Sequence, residues 1–224
     1  METLPVYIGL LFGMTTLLAI SIFYSASAYS NRILVVLIIW LLIQTILGKN
    51  GYYLETTSLP PRLMLFVLVP VLAIILLITT PFGKEFIDNL DIEKLTLLHV
   101  VRIPVEIVLY LLFIHQTIPE LMTFAGRNYD ILSGISAPII YYYGFKKKKL
   151  NRTVILIWNF ICIGLLFNIV IHAILSAPFP FQQLAFDQPN VAVLYFPYNW
   201  LPTCIVPLVL FSHFASIRQL LVNK

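Results

Sequence analysis

The chain has 224 residues, of which 60% are hydrophobic and 11% charged, and its mean hydropathy is +0.93. A soluble globular domain carries roughly 25% charged residues, so this composition excludes one and points to an all-α integral membrane bundle. The net charge of +4 comes with no nucleic-acid-binding motif; it is the placement of the basic residues that carries information.

Apolar runs of spanning length, about 17–25 residues, recur without a polar stretch long enough for a separate domain. Residues 1–224 therefore read as one transmembrane domain of about seven helices. The first run, 4–24, is followed by SASA at 25–28, which imitates a signal-peptide cleavage site. Its head carries Glu2 and no basic residue, so it reads as a span. The second run, 33–48, is short for a core of about 30 Å. The third, 63–80, opens with Arg62 in LPPRLML.

The fourth run, 94–116, contains LLHVVRIPVEIVLYLL, with His99, Arg102, Glu106 and Tyr110 inside oily sequence. The fifth, 130–145, is again short and is entered through FAGRNYD, with Arg127, Asn128 and Asp130 at its mouth. The sixth, 153–177, carries Cys162, Asn168 and His172, and the seventh, 201–221, carries Cys204 and His213. The two cysteines read as packing residues rather than as a disulfide or zinc framework. Pro70, Pro138 and Pro207 give a faint echo of a repeat but do not establish one.

The lysines at 146–149 followed by Arg152 form the strongest basic cluster, and the positive-inside rule assigns that connection to the cytoplasm. Alternation then places Arg32, Lys84, Lys94, Arg218 and Lys224 inside as well, against Lys49, Arg62 and Arg127 outside. The N-terminus lies outside and the C-terminus in the cytoplasm, in a plasma or bacterial inner membrane. Segment 178–200, rich in Pro and aromatics with Asp187 as its one charge, is expected to lie along the outer interface. A lid over a cavity is the alternative.

At 100° per residue, His99, Arg102 and Glu106 share one helix face, and Tyr110 continues the stripe. A rise of 1.5 Å per residue from the inner boundary puts Glu106 near the midplane, roughly 18 Å deep. Such a face turns to protein or water, and an Arg102–Glu106 pair at i, i+4 would neutralise both charges. Pro104 removes one N–H between them, so a kink is expected there. Asn128 or Asp130 is expected to cap the fifth helix. Arg62, with His115 and Glu120 near its level, is a candidate for an outward vestibule.

These residues suit an intramembrane polar cavity that binds or transports a small polar or anionic solute, with Glu106 as a proton carrier. His99, Arg102, Glu106, Tyr110, Asn128, Asp130, Arg62 and His213 are the candidate ligand-binding or relay residues. Covalent retinal requires a lysine within a span, and all eight lysines fall in loops or at ends. A second reading is a membrane-embedded enzyme, with one haem or a metal held by His99, His172 and His213; a third is an assembly subunit of a membrane complex. No H-x-x-x-H or H-E-x-x-H pattern, nucleophile motif, phosphate loop or dinucleotide fingerprint occurs.

Overall fold

The computed structural model describes residues 4–222 and is all-helical, with no strand among the described residues. Glu2 and Lys224 lie outside the described residues. In chain order the helices are α1 (Val6–Ala26), α2 (Asn31–Lys49), α3 (Arg62–Thr79), α4 (Pro81–Asp88), α5 (Ile92–Leu98), α6 (Arg102–Ile114), α7 (Ile131–Ile140), α8 (Arg152–Ser176) and α9 (Val206–Val222). Among the described residues six stretches are long and apolar enough to cross a membrane: α1, α2, α3, α8, the rod Ile92–Ile114 and the rod Leu201–Val222. A helix satisfies its backbone polar groups internally, which is what hydrocarbon demands of a crossing segment. Exposed side chains such as Val36, Leu76 and Phe160 are the apolar surface left for lipid.

Three departures from the sequence reading follow from local chemistry. The second span is 19 residues long, because Asn31, Arg32 and Lys49 join the helix rather than bounding it. A short helix, α4, appears where none is predicted. Thr80 caps it by accepting the Gly83 N–H at 3.2 Å, and Pro81 takes the first helical position, where its missing N–H is harmless. The segment predicted as the fifth span is α7 followed by a π-type turn over Tyr141–Lys146.

Where the sequence predicts a kink at Pro104, the α-helical pattern is interrupted just before it. α5 starts from Asp91, whose carboxylate accepts the N–H groups of Glu93 and Lys94, and gives way to a 3₁₀ turn over His99–Val101 before α6 resumes. Pro104 thus sits in the first turn of a new helix, the one place where its ring and missing donor are tolerated. Helices α1, α6 and α9 supply much of the main core, with Phe12, Leu98, Val101, Val108, Leu112 and Val209 buried within it.

Segment 178–200 packs against the helix ends. Its Asn190 and Val191 N–H groups donate to the carbonyls of Ser176 and Thr117, and Gln188 Nε2 donates to those of Phe113 and Ile118. These helix-terminal and loop carbonyls need donors, and a mostly uncharged segment rich in Gln and Asn supplies them. At the same end Tyr53 is fully buried and its hydroxyl donates to Gln44 of α2; burial pushes its phenol well above the ordinary range.

Candidate functional site

The charged face of α6 meets the entry to α7 and the middle of α8 and α9. Arg102 is 3% exposed, so its guanidinium must find its partners inside the protein. Nη1 donates to Asp130 Oδ1 at 2.5 Å and, at 3.4 Å, to the carbonyl of Cys162. Nη2 lies 2.8 Å from His213 Nε2. A guanidinium has donors alone, so His213 Nε2 must be the bare, accepting nitrogen. The proton is then on Nδ1, which donates to Asn159 Oδ1 at 2.8 Å, and Asn159 in turn donates to the carbonyl of Ile155. Arg102 therefore fixes one tautomer of a fully buried neutral histidine.

Arg102 does not pair with Glu106, contrary to the i, i+4 expectation. Both side chains lean toward the N-terminus of their own helix, so the guanidinium moves on toward α7 and α9. Asp130, reached through the loop after α6, takes the ion pair. The predicted capping role is corrected with it: Asp130 stands at the N-terminal boundary of α7, but its side chain caps nothing there.

Glu106 is 2% exposed and binds Asn128 instead. Asn128 Nδ2 donates to Glu106 Oε1 at 2.6 Å and to the Met122 carbonyl at 3.0 Å, while its Oδ1 accepts the N–H of Asp130. One asparagine thus ties both acids to the loop between α6 and α7. Glu106 Oε2 has no protein partner. With Arg102 matched by Asp130, Glu106 is the surplus acid of the site.

A cavity of about 120 Å³ reaches both acids. Most of its wall is apolar, from α3 (Leu63, Val67), α6 (Leu109) and α8 (Leu166, Ile169, Ala173), and Phe179, Asn190 and Val193 of segment 178–200 complete the lining. Segment 178–200 thus lines part of this cavity, as the alternative reading of it expects. The arrangement is an oily pocket with acidic groups at its inner wall.

His99 stacks on His213, with ring centroids 3.8 Å apart and 15° between planes, and Trp158 meets it edge-on. Neither His99 nitrogen has a protein partner. Replacing His99 by Phe should cost less than about 1.5 kcal/mol, as a ring-for-ring swap that breaks no hydrogen bond. His213→Phe should cost about 2–5 kcal/mol, because it strands both an Arg102 N–H and Asn159 Oδ1. Chemical unfolding midpoints of the two variants compare these directly, and equal losses would contradict the tautomer assignment.

Two candidates stand apart from the cluster. Tyr110 stacks on Phe124 at 4.9 Å. Arg62 lies 4.8 Å over the Tyr52 ring and donates to the Tyr52 carbonyl, so it anchors the turn before α3. In α8, Asn168 donates to the Arg127 carbonyl and His172 Nδ1 lies 2.7 Å from the Asn168 carbonyl. Asn159 is the partner that sequence reasoning missed. Its signal was the one that exposed Arg102: a polar side chain in the middle of an apolar span.

His99, His172 and His213 are not arranged to share one metal ion or to ligate one haem as a pair. Bis-histidine ligation of a haem by His99 and His213 would need the two imidazoles end-on across the iron, whereas they lie face to face. His213 has both nitrogens engaged, and His172 is held to its own helix. Among the described residues no group of three or more His, Cys, Asp or Glu side chains is arranged to hold a metal ion. Cys162 and Cys204 are buried free thiols.

Residues 59–221, more than half of the chain and inclusive of the whole polar cluster, match the family model described as Domain of unknown function (DUF8737). No curated protein and no solved structure matches the chain.

Proposed function

We propose that the chain, which belongs to the DUF8737 family, binds a small solute in the cavity beside α6 and passes it through the membrane, engaging it at Glu106. One observation carries this reading: a carboxylate oxygen without a protein partner in a side chain 2% exposed, on the wall of an otherwise oily pocket. A bare carboxylate oxygen in low dielectric costs several kcal/mol, so it holds either a proton or the donor of a guest. Binding then exchanges one for the other, which couples the solute to a proton. The break between α5 and α6 lies about 9 Å along the rod from Glu106, and an interruption within a crossing helix is the kind on which transporters build their sites.

The walls and charges narrow the solute. A cavity of about 150 Å³ takes a ring the size of benzene, so a guest of that order fits here. Its body is apolar, and its polar end donates hydrogen bonds or carries positive charge. The anionic solute expected from Arg102 is set aside, because Asp130 already neutralises that guanidinium and Glu106 would repel an anion.

In this reading the bundle has seven spans with the N-terminus outside, in a plasma or bacterial inner membrane. The stretch from α7 through the π-type turn, fifth in chain order, is the crossing that brings the six to seven. It is shorter than the core, and Tyr141 and Tyr142, overlaid by Lys146 and Lys147, extend it to the interface. The basic residues at 146–149 and 152 then face the cytoplasm.

The test uses three six-carbon probes. Hexylammonium should stabilise the purified protein against heat, by about 1.4 kcal/mol at ten times its Kd, hexanol should stabilise it less, and hexanoate should not. Glu106→Gln should weaken hexylammonium binding at least tenfold and abolish the proton release that a pH indicator records on binding. Unchanged affinity and unchanged proton release in that variant would remove Glu106 from the mechanism.

A further inference from the structure

A second hollow, of about 550 Å³, lies between α2 and α3 and is independent of the polar site. Its floor is α9, through Pro207, Leu208 and Phe211; its walls run from Arg32 to Ile43 on α2 and from Val69 to Leu77 on α3. The run along α2 is roughly 16 Å long, which is about half of a 30 Å hydrocarbon core and so the depth of one leaflet. Toward the outer end, the two helices are joined by aromatic rings. Trp40 lies 6.3 Å from Phe66, and Tyr52 and Tyr53 meet the same Phe66 at 5.9 and 5.8 Å.

The lining is apolar except at two residues. Thr203 is satisfied within the protein: its carbonyl accepts from Trp40 Nε1 at 2.8 Å and its hydroxyl donates to the Asn199 carbonyl. Arg32 is different. It is exposed at the end of the groove where α2 begins, and among the described residues it makes no ion pair. Beside it, α4 contributes Phe86 to the groove and leaves Phe82 78% exposed, as a short helix resting in the headgroup boundary would. A concave oily channel one leaflet deep, with one unmatched cation at its mouth, is complementary in shape and charge to an anionic lipid.

We infer that this groove holds one acyl chain of an anionic phospholipid from the leaflet at Arg32, with the lipid phosphate paired to the guanidinium. An arginine fork presents parallel donors to two phosphate oxygens, which a choline headgroup would partly offset with its own positive charge. The orientation proposed above makes this the cytoplasmic leaflet, the one rich in anionic lipid. A floor of buried α9 side chains distinguishes the groove from the convex surface that ordinary solvating lipid covers. The bound chain completes the packing between α2 and α3.

Trp40 lines the groove and reports on it. The full chain would be placed in phosphatidylcholine vesicles containing equal small fractions of either dibrominated phosphatidylglycerol or dibrominated phosphatidylcholine, with Trp40→Phe as the subtraction. Brominated phosphatidylglycerol should quench Trp40 at about fivefold lower mole fraction. Arg32→Gln should erase that preference while leaving the common quenching, and Ala73→Phe, which fills the channel, should reduce quenching by both lipids. Equal quenching by the two lipids in the unaltered protein would overturn the inference, as would a preference that survives Arg32→Gln. Protection of Trp40 from both lipids would also overturn it, since a second copy of the chain would then cover the groove.

Discussion

Asp130→Leu should destabilise the protein by about 3–5 kcal/mol, the largest loss expected from any single substitution at the site. The carboxylate accepts from Arg102 at 2.5 Å, and with it gone a guanidinium 3% exposed keeps only a histidine nitrogen and a distant carbonyl. The Cys162 carbonyl at 3.4 Å is a weak acceptor, and His213 can accept one bond but cannot cancel a charge. The measurement is the unfolding midpoint in detergent, titrated with denaturant, for Asp130→Leu and for the pair Arg102→Met with Asp130→Leu. The double variant removes both charges and should recover most of the loss, because the penalty belongs to the unpaired ion and not to the missing bond. If the double variant were as unstable as the single one, the cost would lie in packing at the mouth of α7. The electrostatic account of the cluster would then fail.

The same comparison separates structural from functional acids. Asp130 is spent on Arg102, while Glu106 has one oxygen bound by Asn128 and one left over. Glu106→Gln keeps the size of the side chain and removes an ionisable group that no ion pair requires. Its cost in stability should therefore be small beside that of Asp130→Leu, even though the two acids line the same cavity.

How far the sequence could be read follows from what each residue needs. Six of the seven expected spans were legible because hydrocarbon imposes length and apolarity on every crossing helix. Arg102, Glu106, Asp130, Asn128, His99 and His213 were visible for the converse reason: a polar side chain in such a segment must be turned inward. Who pairs with whom was not legible. Arg102 and Asp130 are joined across a loop whose path depends on tertiary packing, so the local i, i+4 rule offered Glu106 instead. α4 escaped because eight residues leave too little periodicity, although Thr80 followed by Pro81 is a start signal in retrospect. The aromatic composition of segment 178–200 suggested an interface, and gave no sign that its Asn and Gln side chains donate to carbonyls at the helix ends.

Gly126→Ala should reach the cavity without touching it. A Cβ at position 126 would stand 2.3 Å from the Glu120 carbonyl oxygen and 2.7 Å from the Leu121 Cα, both backbone atoms with no rotamer to yield. The turn must therefore open, at about 1–3 kcal/mol. Its internal bonds run from Gly126 N–H to the Thr123 carbonyl and from Asn128 N–H to the same carbonyl, so the displacement is handed straight to Asn128. Asn128 is the clamp on Glu106 and on the Asp130 N–H. The expected result is a loss of stability together with a weakening of hexylammonium binding comparable to that of Asn128→Leu. Combining the two substitutions should add little to either alone in binding, because residues acting through one contact are not additive. Full additivity in the double variant would mean that the glycine turn and the asparagine act on the cavity by separate routes, and the loop would lose its role as the holder of Glu106.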